Sequence, residues 1–173
     1  YAMPVTGDFD GNGADDVLWY VSSRSEHSIW WFETGTVNYS STEIGINGDF
    51  IPVAGDFNGD LADDIAWYDP QAGTVHLWWF NSSGPIIIDE NRNLGTGYIP
   101  IVGDFNGDGR EDIFWYGEGF KEEIIWWRFG PSTFDRWLIQ SDGQIQVVNW
   151  SSPIAGDFNG DGSDDIIWDF KGS

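Results

Sequence analysis

The chain has no cysteine, two histidines and only seven lysine or arginine residues among 173. Without cysteine it forms neither disulfides nor thiolate metal sites. Seven bases against 29 acids give a net charge of −22, which repels phosphate backbones and anionic lipid headgroups. The sequence also has no run of 18 apolar residues, so we expect neither a nucleic-acid partner nor membrane insertion.

Recognisable catalytic arrangements are also lacking. We find no phosphate-binding glycine loop of the P-loop kind and no Ser/His/Asp or Cys/His arrangement. His27, His76 and Glu123 occupy nearly equivalent places in successive repeats. Because the residue type changes between copies, we interpret this place as a solvated strand position and not as a general base. A glycosidase needs only two acids at a controlled separation, which a sequence does not exclude, but we expect no enzyme activity.

What the chain does contain is one nonapeptide written four times, at residues 8–16, 56–64, 104–112 and 157–165. Side chains with oxygen occupy positions 1, 3, 5 and 9 of every copy, and glycine occupies position 4. The copies begin at residues 8, 56, 104 and 157, so the spacings are 48, 48 and 53 residues. Periods near this length are typical of solenoids, propellers and repeat arrays.

Short runs rich in β-branched and aromatic residues surround each copy and are bounded by Gly, Asn, Ser and Pro. A proline stands four residues before each copy and a tryptophan eleven residues after its start, and no sustained helical periodicity is present. Four strands in about 48 residues match one propeller blade. We therefore predict an all-β fold, a β-propeller-type array of about three and a half four-stranded repeats. The predicted domain is residues 1–173, with units at about 1–48, 49–96, 97–149 and a partial unit at 150–173.

The oxygen-rich nonapeptide predicts a site for a hard cation. Ca²⁺ takes six to eight oxygen ligands from a flexible, sharply turned loop, and four divalent ions would reduce the repulsion between clustered carboxylates. An EF-hand is excluded because tryptophan occupies position 12, where that motif requires a bidentate glutamate. We expect about four Ca²⁺ per chain.

The motif Gly-Asp-Phe-Asn-Gly-Asp-Gly-x-x-Asp-Ile-x-x-Trp resembles the FG-GAP/VCBS repeats of extracellular β-propellers, including calcium-bearing blades of integrin α subunits and many bacterial surface proteins. The resemblance implies calcium in the loop between the first two strands of each blade. It also implies adhesion, carbohydrate binding or scaffolding.

The side-chain ligands it implies are Asp8, Asp10, Asn12 and Asp16; Asp56, Asn58, Asp60 and Asp64; Asp104, Asn106, Asp108 and Asp112; and Asp157, Asn159, Asp161 and Asp165. At position 7, Ala14, Ala62, Arg110 and Ser163 would offer main-chain carbonyls. Leu61 replaces the usual glycine at position 6, so we expect the second loop to turn less readily.

Twelve tryptophans require an explanation. A Trp-Trp pair recurs at residues 30–31, 78–79 and 126–127, and neighbouring residues of a strand point to opposite faces. These rings either pack between adjacent blades or stack on sugars at an exposed rim. Their fixed register favours packing, because a binding site does not need to recur in every blade.

The sequence predicts a secreted or cell-surface protein. Calcium sites of this kind fill at extracellular concentrations, and the chain begins Tyr1-Ala-Met-Pro without a leader, so we expect any secretion signal to have been removed. Three sequons, at Asn38, Asn81 and Asn149, are potential glycosylation sites. The first hypothesis for its role is extracellular adhesion, with a glycan or a cell-surface protein as ligand. A lectin or an accessory domain of a polysaccharide-processing enzyme is a weaker alternative.

The last unit of the sequence lacks the strand that carries the Trp-Trp pair in the other units. An incomplete sheet leaves an edge that favours pairing with another chain. A second hypothesis is therefore a structural subunit that polymerises through this unit into a fibre or surface layer. The expected partners are other copies of the chain or further repeats of a longer chain.

Overall fold

The protein is described by a computed structural model covering residues 2–22, 24, 26–117, 123–130, 133–139 and 153–168. Its strands are β1 (Met3–Gly7), β2 (Asp16–Tyr20), β3 (His27–Phe32), β4 (Tyr39–Ile44), β5 (Ile51–Gly55), β6 (Asp64–Asp69), β7 (Thr74–Asn81), β8 (Gly84–Asn93), β9 (Tyr98–Gly103), β10 (Asp112–Gly117), β11 (Glu123–Gly130), β12 (Thr133–Ile139), β13 (Pro153–Gly156) and β14 (Asp165–Trp168). The residues described include no helix of the length and apolar character that crossing a membrane requires.

The strands form antiparallel sheets in sequence order. The first sheet contains β1–β4, the second β5–β8 and the third β9–β12, and the fourth sheet pairs β13 with β14. The chain divides into two compact units, residues 1–96 with the first and second sheets and residues 97–173 with the third and fourth. The all-β class and the four-stranded repeat are therefore confirmed.

Strand register explains the spacing of proline and tryptophan around each nonapeptide. In each sheet the proline of the first strand lies directly opposite the tryptophan of the second: Pro4 and Trp19, Pro52 and Trp67, Pro100 and Trp115, and Pro153 and Trp168. Nearer the loop, the glycine before position 1 pairs with the aspartate at position 9, as Gly7 does with Asp16. Each nonapeptide thus closes a hairpin, and its two ends meet at the sheet.

Aromatic packing joins the first two sheets. Tyr20 of the first sheet meets Trp67 of the second at a ring distance of 5.3 Å, and Phe9 lies 5.5 Å from Phe80. These side chains are buried in one hydrophobic cluster. The packing interpretation of the tryptophans therefore agrees with the second sheet, where both members of the Trp-Trp pair are buried.

The interpretation of the His27 and Glu123 position as solvated is wrong. Both side chains are buried. The main-chain N–H of Val21 donates to His27 Nδ1 at 3.2 Å, and Nε2 lies 2.9 Å from the carbonyl oxygen of Ile46. Burial raises the pKa of Glu123. His27 is thus held inside by main-chain partners, which a change of residue type between repeats does not reveal.

The predicted glycosylation positions differ in accessibility. Asn38 is exposed immediately before β4, whereas Asn81 is half-buried at the end of β7, and its Oδ1 accepts the N–H of Ser83 at 2.8 Å. Asn149 lies outside the described residues.

The second loop turns in the same way as the others despite its leucine. Leu61 has φ 72°, close to the values of 86°, 83° and 91° at Gly13, Gly109 and Gly162. This left-handed conformation costs a residue with a Cβ roughly 1–2 kcal/mol. Leu61 is 81% exposed, so little packing offsets that cost.

We predict that Leu61→Gly stabilises the protein by about 1 kcal/mol, because strain is relieved and little apolar burial is lost. Gly109→Leu is the matched control and should destabilise by a similar amount. Urea unfolding of both variants measures the effect. Destabilisation by Leu61→Gly would show that leucine is favoured at this position by a contact.

Candidate metal centre

The first loop gathers three carboxylates. Ligand oxygens of Asp8, Asp10 and Asp16 lie within 4.8 Å of one another. Asp16 is buried and the other two are half-buried. These are positions 1, 3 and 9 of the nonapeptide, brought together because the loop closes between β1 and β2. Within the described residues this is the single group of three acidic or metal-binding side chains at such distances.

The carboxylate at position 1 holds each loop in its turn. In the third loop, Asp104 accepts main-chain N–H groups from Gly107, Asp108 and Gly109 at 2.8, 3.1 and 2.8 Å. Asp8, Asp56 and Asp157 accept equivalent bonds in their own loops. These bonds, the one from Gly162 foremost, lower the pKa of Asp157. The carboxylate at position 1 is thus oriented by main-chain N–H groups of its own loop.

The carboxylate at position 9 connects the loop to two strands. Asp16 accepts the N–H of Phe9 at 3.1 Å and that of Phe32, in β3, at 2.7 Å. Asp64 accepts the N–H of Phe80 in the same way, at 2.9 Å. Burial raises the pKa of Asp16 to about 6, that of Asp64 to about 8 and that of Asp112 to about 7. A buried carboxylate with a raised pKa gains from a cation that replaces its proton.

Position 3 distinguishes the first loop from the other three. Asn58, Asn106 and Asn159 each donate through Nδ2 to the aspartate at position 9, at 3.0, 2.8 and 3.3 Å. Asp10 has no proton to donate when ionised, so the first loop places carboxylates against each other. To serve as cation ligands, the three asparagines must present their amide oxygen instead of nitrogen, and this assignment follows the hydrogen-bond network.

Position 5 shapes the end of each loop. Asn12, Asp60, Asp108 and Asp161 accept the N–H of the residue at position 7 at 2.9, 3.1, 3.2 and 3.0 Å. The expected carbonyl ligands Ala14, Ala62, Arg110 and Ser163 therefore have their peptide N–H groups held within the loop. Their role as ligands stays a prediction.

The donor set fits a hard cation. Every side chain at positions 1, 3, 5 and 9 carries oxygen, which Ca²⁺ prefers. In the third loop, Asp112 Oδ1 is buried and has no hydrogen-bond partner within the described residues. Such an oxygen is costly unless it meets a donor or a cation.

Sequence reasoning missed the role of position 8. The N–H of Asp63, in the second loop, donates to the carbonyl of Asp8 at 2.8 Å, and Asp63 Oδ2 accepts the N–H of Asp8 at 2.9 Å. Asp164 and Asp104 repeat this geometry at 2.7 and 3.0 Å. The position-8 aspartate therefore joins its loop to the loop of the preceding sheet, and we name this the reciprocal hydrogen-bond pair.

The glycines before the first and third loops make room for this pair. A Cβ at Gly7 would lie 2.6 Å from Asp63 Oδ2, and one at Gly103 would lie 2.6 Å from Asp164 Oδ2. The sequence carried the signal: position 8 is acidic in every loop, and glycine precedes every loop. Neither pattern is needed by a metal site alone.

Comparison with known proteins agrees with the repeat geometry. A family model described as an FG-GAP-like repeat matches residues 56–115 and 104–168, which together exceed half of the chain. Each matched segment runs from the start of one loop to the tryptophan after the next loop, and the first loop lies outside the matches. No significant match was found among curated proteins or solved structures.

We predict that Asp10→Asn and Asn58→Asp, the two opposite exchanges at position 3, change the free energy of unfolding in opposite directions. Asp10→Asn removes a like charge and allows the hydrogen bond to Asp16 that the other loops make. We expect it to stabilise the protein in chelator by about 1 kcal/mol and to weaken calcium binding. Asn58→Asp, the reverse change, should destabilise the chelated protein by a similar amount. Urea unfolding with chelator and with calcium measures both.

The same sign of effect for both variants in chelator would contradict this account of position 3. If the Asp10→Asn variant is more stable but binds calcium with unchanged affinity, Asp10 is not a calcium ligand.

Stability in chelator should fall as pH rises. Asp16, Asp64 and Asp112 bind protons more tightly when folded, since their pKa values rise from 3.8 to about 6, 8 and 7. Their stabilising protonation is complete below pH 3.8 and is lost as pH rises through these higher values. We expect a lower urea midpoint at pH 8 than at pH 5. Saturating calcium should remove this trend, because the cation replaces the protons.

Asp64→Asn should make the urea midpoint in chelator depend less on pH, because the amide stays neutral at every pH. Glu43→Gln removes one exposed charge elsewhere and should leave the trend unchanged. Equal flattening by both variants would assign the trend to net charge and not to the buried carboxylate.

Proposed function

The chain belongs to the family of FG-GAP-like repeat proteins, and from this premise we propose that it is a secreted, non-enzymatic, calcium-stabilised repeat protein that acts in extracellular adhesion or ligand binding. Its four-stranded sheets would be blades of a β-propeller-type array. Repeats of this family are often involved in adhesion or ligand binding, and they are typical of extracellular or surface proteins.

The observation that carries the proposal is the carboxylate group of the first loop. Asp8, Asp10 and Asp16 place their oxygens within 4.8 Å, and like charges at such distances repel unless a proton or a cation lies between them. Asp8, Asp10, Asn12 and Asp16, with the carbonyl of Ala14, would hold the ion. Calcium would supply positive charge at the junction of loop and strands, and its binding free energy would add to folding stability.

Calcium dependence supports a location outside the cell. Extracellular modules use calcium sites with dissociation constants near 10⁻⁴–10⁻³ M, and exposed loop sites of this kind would fill there. The charge of −22 supports partners other than nucleic acid or membrane. A glycan or a cell-surface protein fits best.

A non-enzymatic role is supported by the state of the polar side chains. The ring of His27 is bound to main-chain groups of its own sheet, and Glu123 is buried. The aspartates of the loops hold turns and strands together. His27 and these aspartates therefore have structural partners among the described residues.

Excess chelator should lower the melting temperature. A site filled at 100 times its dissociation constant contributes about 2.7 kcal/mol, which corresponds to roughly 5–10 °C per site for a chain of this size. We expect Ca²⁺ to restore the loss and Mg²⁺ to restore it only partly, since Mg²⁺ requires stricter octahedral geometry. Differential scanning calorimetry measures the shift, and isothermal titration counts the ions. An unchanged melting temperature in excess chelator would contradict the calcium proposal.

A further inference from the structure

The fourth sheet exposes an apolar surface whose counterpart in the first sheet is covered. Phe158 is 52% and Ile167 44% exposed, whereas Phe9 and Leu18, at the same repeat positions, are fully buried. Ile154 is also exposed. We name Ile154, Gly156, Phe158 and Ile167 the trailing surface. Large apolar side chains grouped on an exposed face indicate an interaction site.

The first two sheets show what covers such a surface. Phe9 packs on Phe80 of the second sheet, and Leu18 belongs to the same buried cluster as Trp67 and Trp78. The reciprocal hydrogen-bond pair of Asp8 and Asp63 lies beside this apolar contact. The third and fourth sheets repeat the polar part through Asp104 and Asp164.

The first sheet presents the complementary surface. Asp15 is exposed, and Val17, Trp19 and Trp30 are only half-buried. Their counterparts in the second sheet are Asp63, Ile65, Trp67 and Trp78, which contact the first sheet. We name Asp15, Val17, Trp19 and Trp30 the leading surface. Like the surface of the second sheet that packs on the first sheet, it combines one aspartate, one β-branched residue and two tryptophans.

Space for the polar contact exists on the trailing surface. A Cβ at Gly7 or Gly103 would meet the carboxylate of the next loop at 2.6 Å, whereas the nearest atoms to one at Gly156 belong to the ring of Phe158, the closest at 3.2 Å. The fourth loop therefore has room for a position-8 carboxylate beside Asp157. Asp15 is the position-8 residue of the first loop.

We propose that the chain binds a second copy of itself head to tail, so that the leading surface of one copy covers the trailing surface of the next and Asp15 forms the reciprocal hydrogen-bond pair with Asp157. The contact is heterologous, and it propagates into a ring or a filament according to whether the rotation closes. This inference rests on the proposed function, because two copies of charge −22 repel each other and bound calcium reduces that repulsion.

Cysteine cross-linking tests the proposal in a chain that has no cysteine of its own. The Cβ built at Gly7 lies 3.1 Å from that of Asp63, and the Gly103–Asp164 distance is 3.2 Å, close to the 3.5–4.5 Å of disulfides. Asp15→Cys with Gly156→Cys in one chain should therefore oxidise, in saturating calcium, to a ladder of multimers on a non-reducing gel. Gly7→Cys with Asp63→Cys is the matched control and should form one disulfide within a monomer.

Two outcomes would overturn the proposal. A monomer with an internal Asp15→Cys to Gly156→Cys disulfide would show that the chain's own first sheet covers the trailing surface. A monomer with both thiols free, while the control pair oxidises, would show that the surface binds something other than a second copy.

Association of the chain without introduced cysteines gives an independent measurement. Phe158→Ser should raise the dissociation constant at least tenfold in sedimentation equilibrium. Val37→Ser removes an apolar side chain that is 88% exposed and belongs to neither surface, so it should leave association unchanged. Equal effects of the two variants would overturn the proposal.

Calcium titration of the same variants separates the two proposals. Phe158→Ser with normal calcium binding but weak association supports the interface. A ladder that forms equally in chelator would support the head-to-tail contact and show that association does not need calcium, whereas the melting temperature in chelator tests the calcium proposal itself.

Discussion

The buried aspartate at position 9 is the group on which the first three loops depend. Asp16 joins the start of its own loop to the third strand of its sheet by accepting N–H groups from Phe9 and Phe32. The same bonds that fix this carboxylate also keep it away from water, so its charge must be balanced by a proton, an amide donor or a cation. Oxygens from positions 1 and 3 lie within reach of it in the first loop. The Asp16 carboxylate, which holds the loop to the third strand, is therefore also the most deeply buried oxygen donor of a candidate calcium site.

The residue at position 3 decides whether the position-9 carboxylate meets a hydrogen-bond donor or a second carboxylate. Asn58 and Asn106 each donate a hydrogen bond to the position-9 carboxylate, whereas Asp10 adds a negative charge beside Asp16. Four loops with nearly the same sequence are therefore unequal before any ion binds. Within the described residues, the first loop is the one in which three carboxylate oxygens lie within 4.8 Å of one another. The asparagines at position 3 of the other loops would have to turn their amide oxygen inward to bind a cation.

Much of the fold could be predicted from the sequence because its repeats are in register. Pro4 and Trp19 stand at fixed distances from the first nonapeptide, and the structure pairs them across two strands. The environment of His27 could not be predicted, since burial in the third strand depends on main-chain groups at Val21 and Ile46 that leave no pattern in the residue types. Position 8 was missed for another reason. The ligands predicted from the sequence occupy positions 1, 3, 5, 7 and 9, which leaves the acid at position 8 without a predicted role, although Asp63 contacts the preceding loop.

The nonapeptide thus directs its side chains to two tasks. The side chains at positions 1, 3, 5 and 9 point into their own loop, where they hold the turn and would supply the oxygens that a cation binds. Position 8 faces outward to the neighbouring sheet. Asp8 takes part in both, because its carboxylate accepts N–H groups of its own loop while its main chain is bound to Asp63. A change in the conformation of the first loop therefore also changes the contact with the second sheet, because Asp8 takes part in both. In repeat proteins, stability is carried by such nearest-neighbour contacts, so the order of the first loop and the packing of the second sheet on the first are coupled through Asp8.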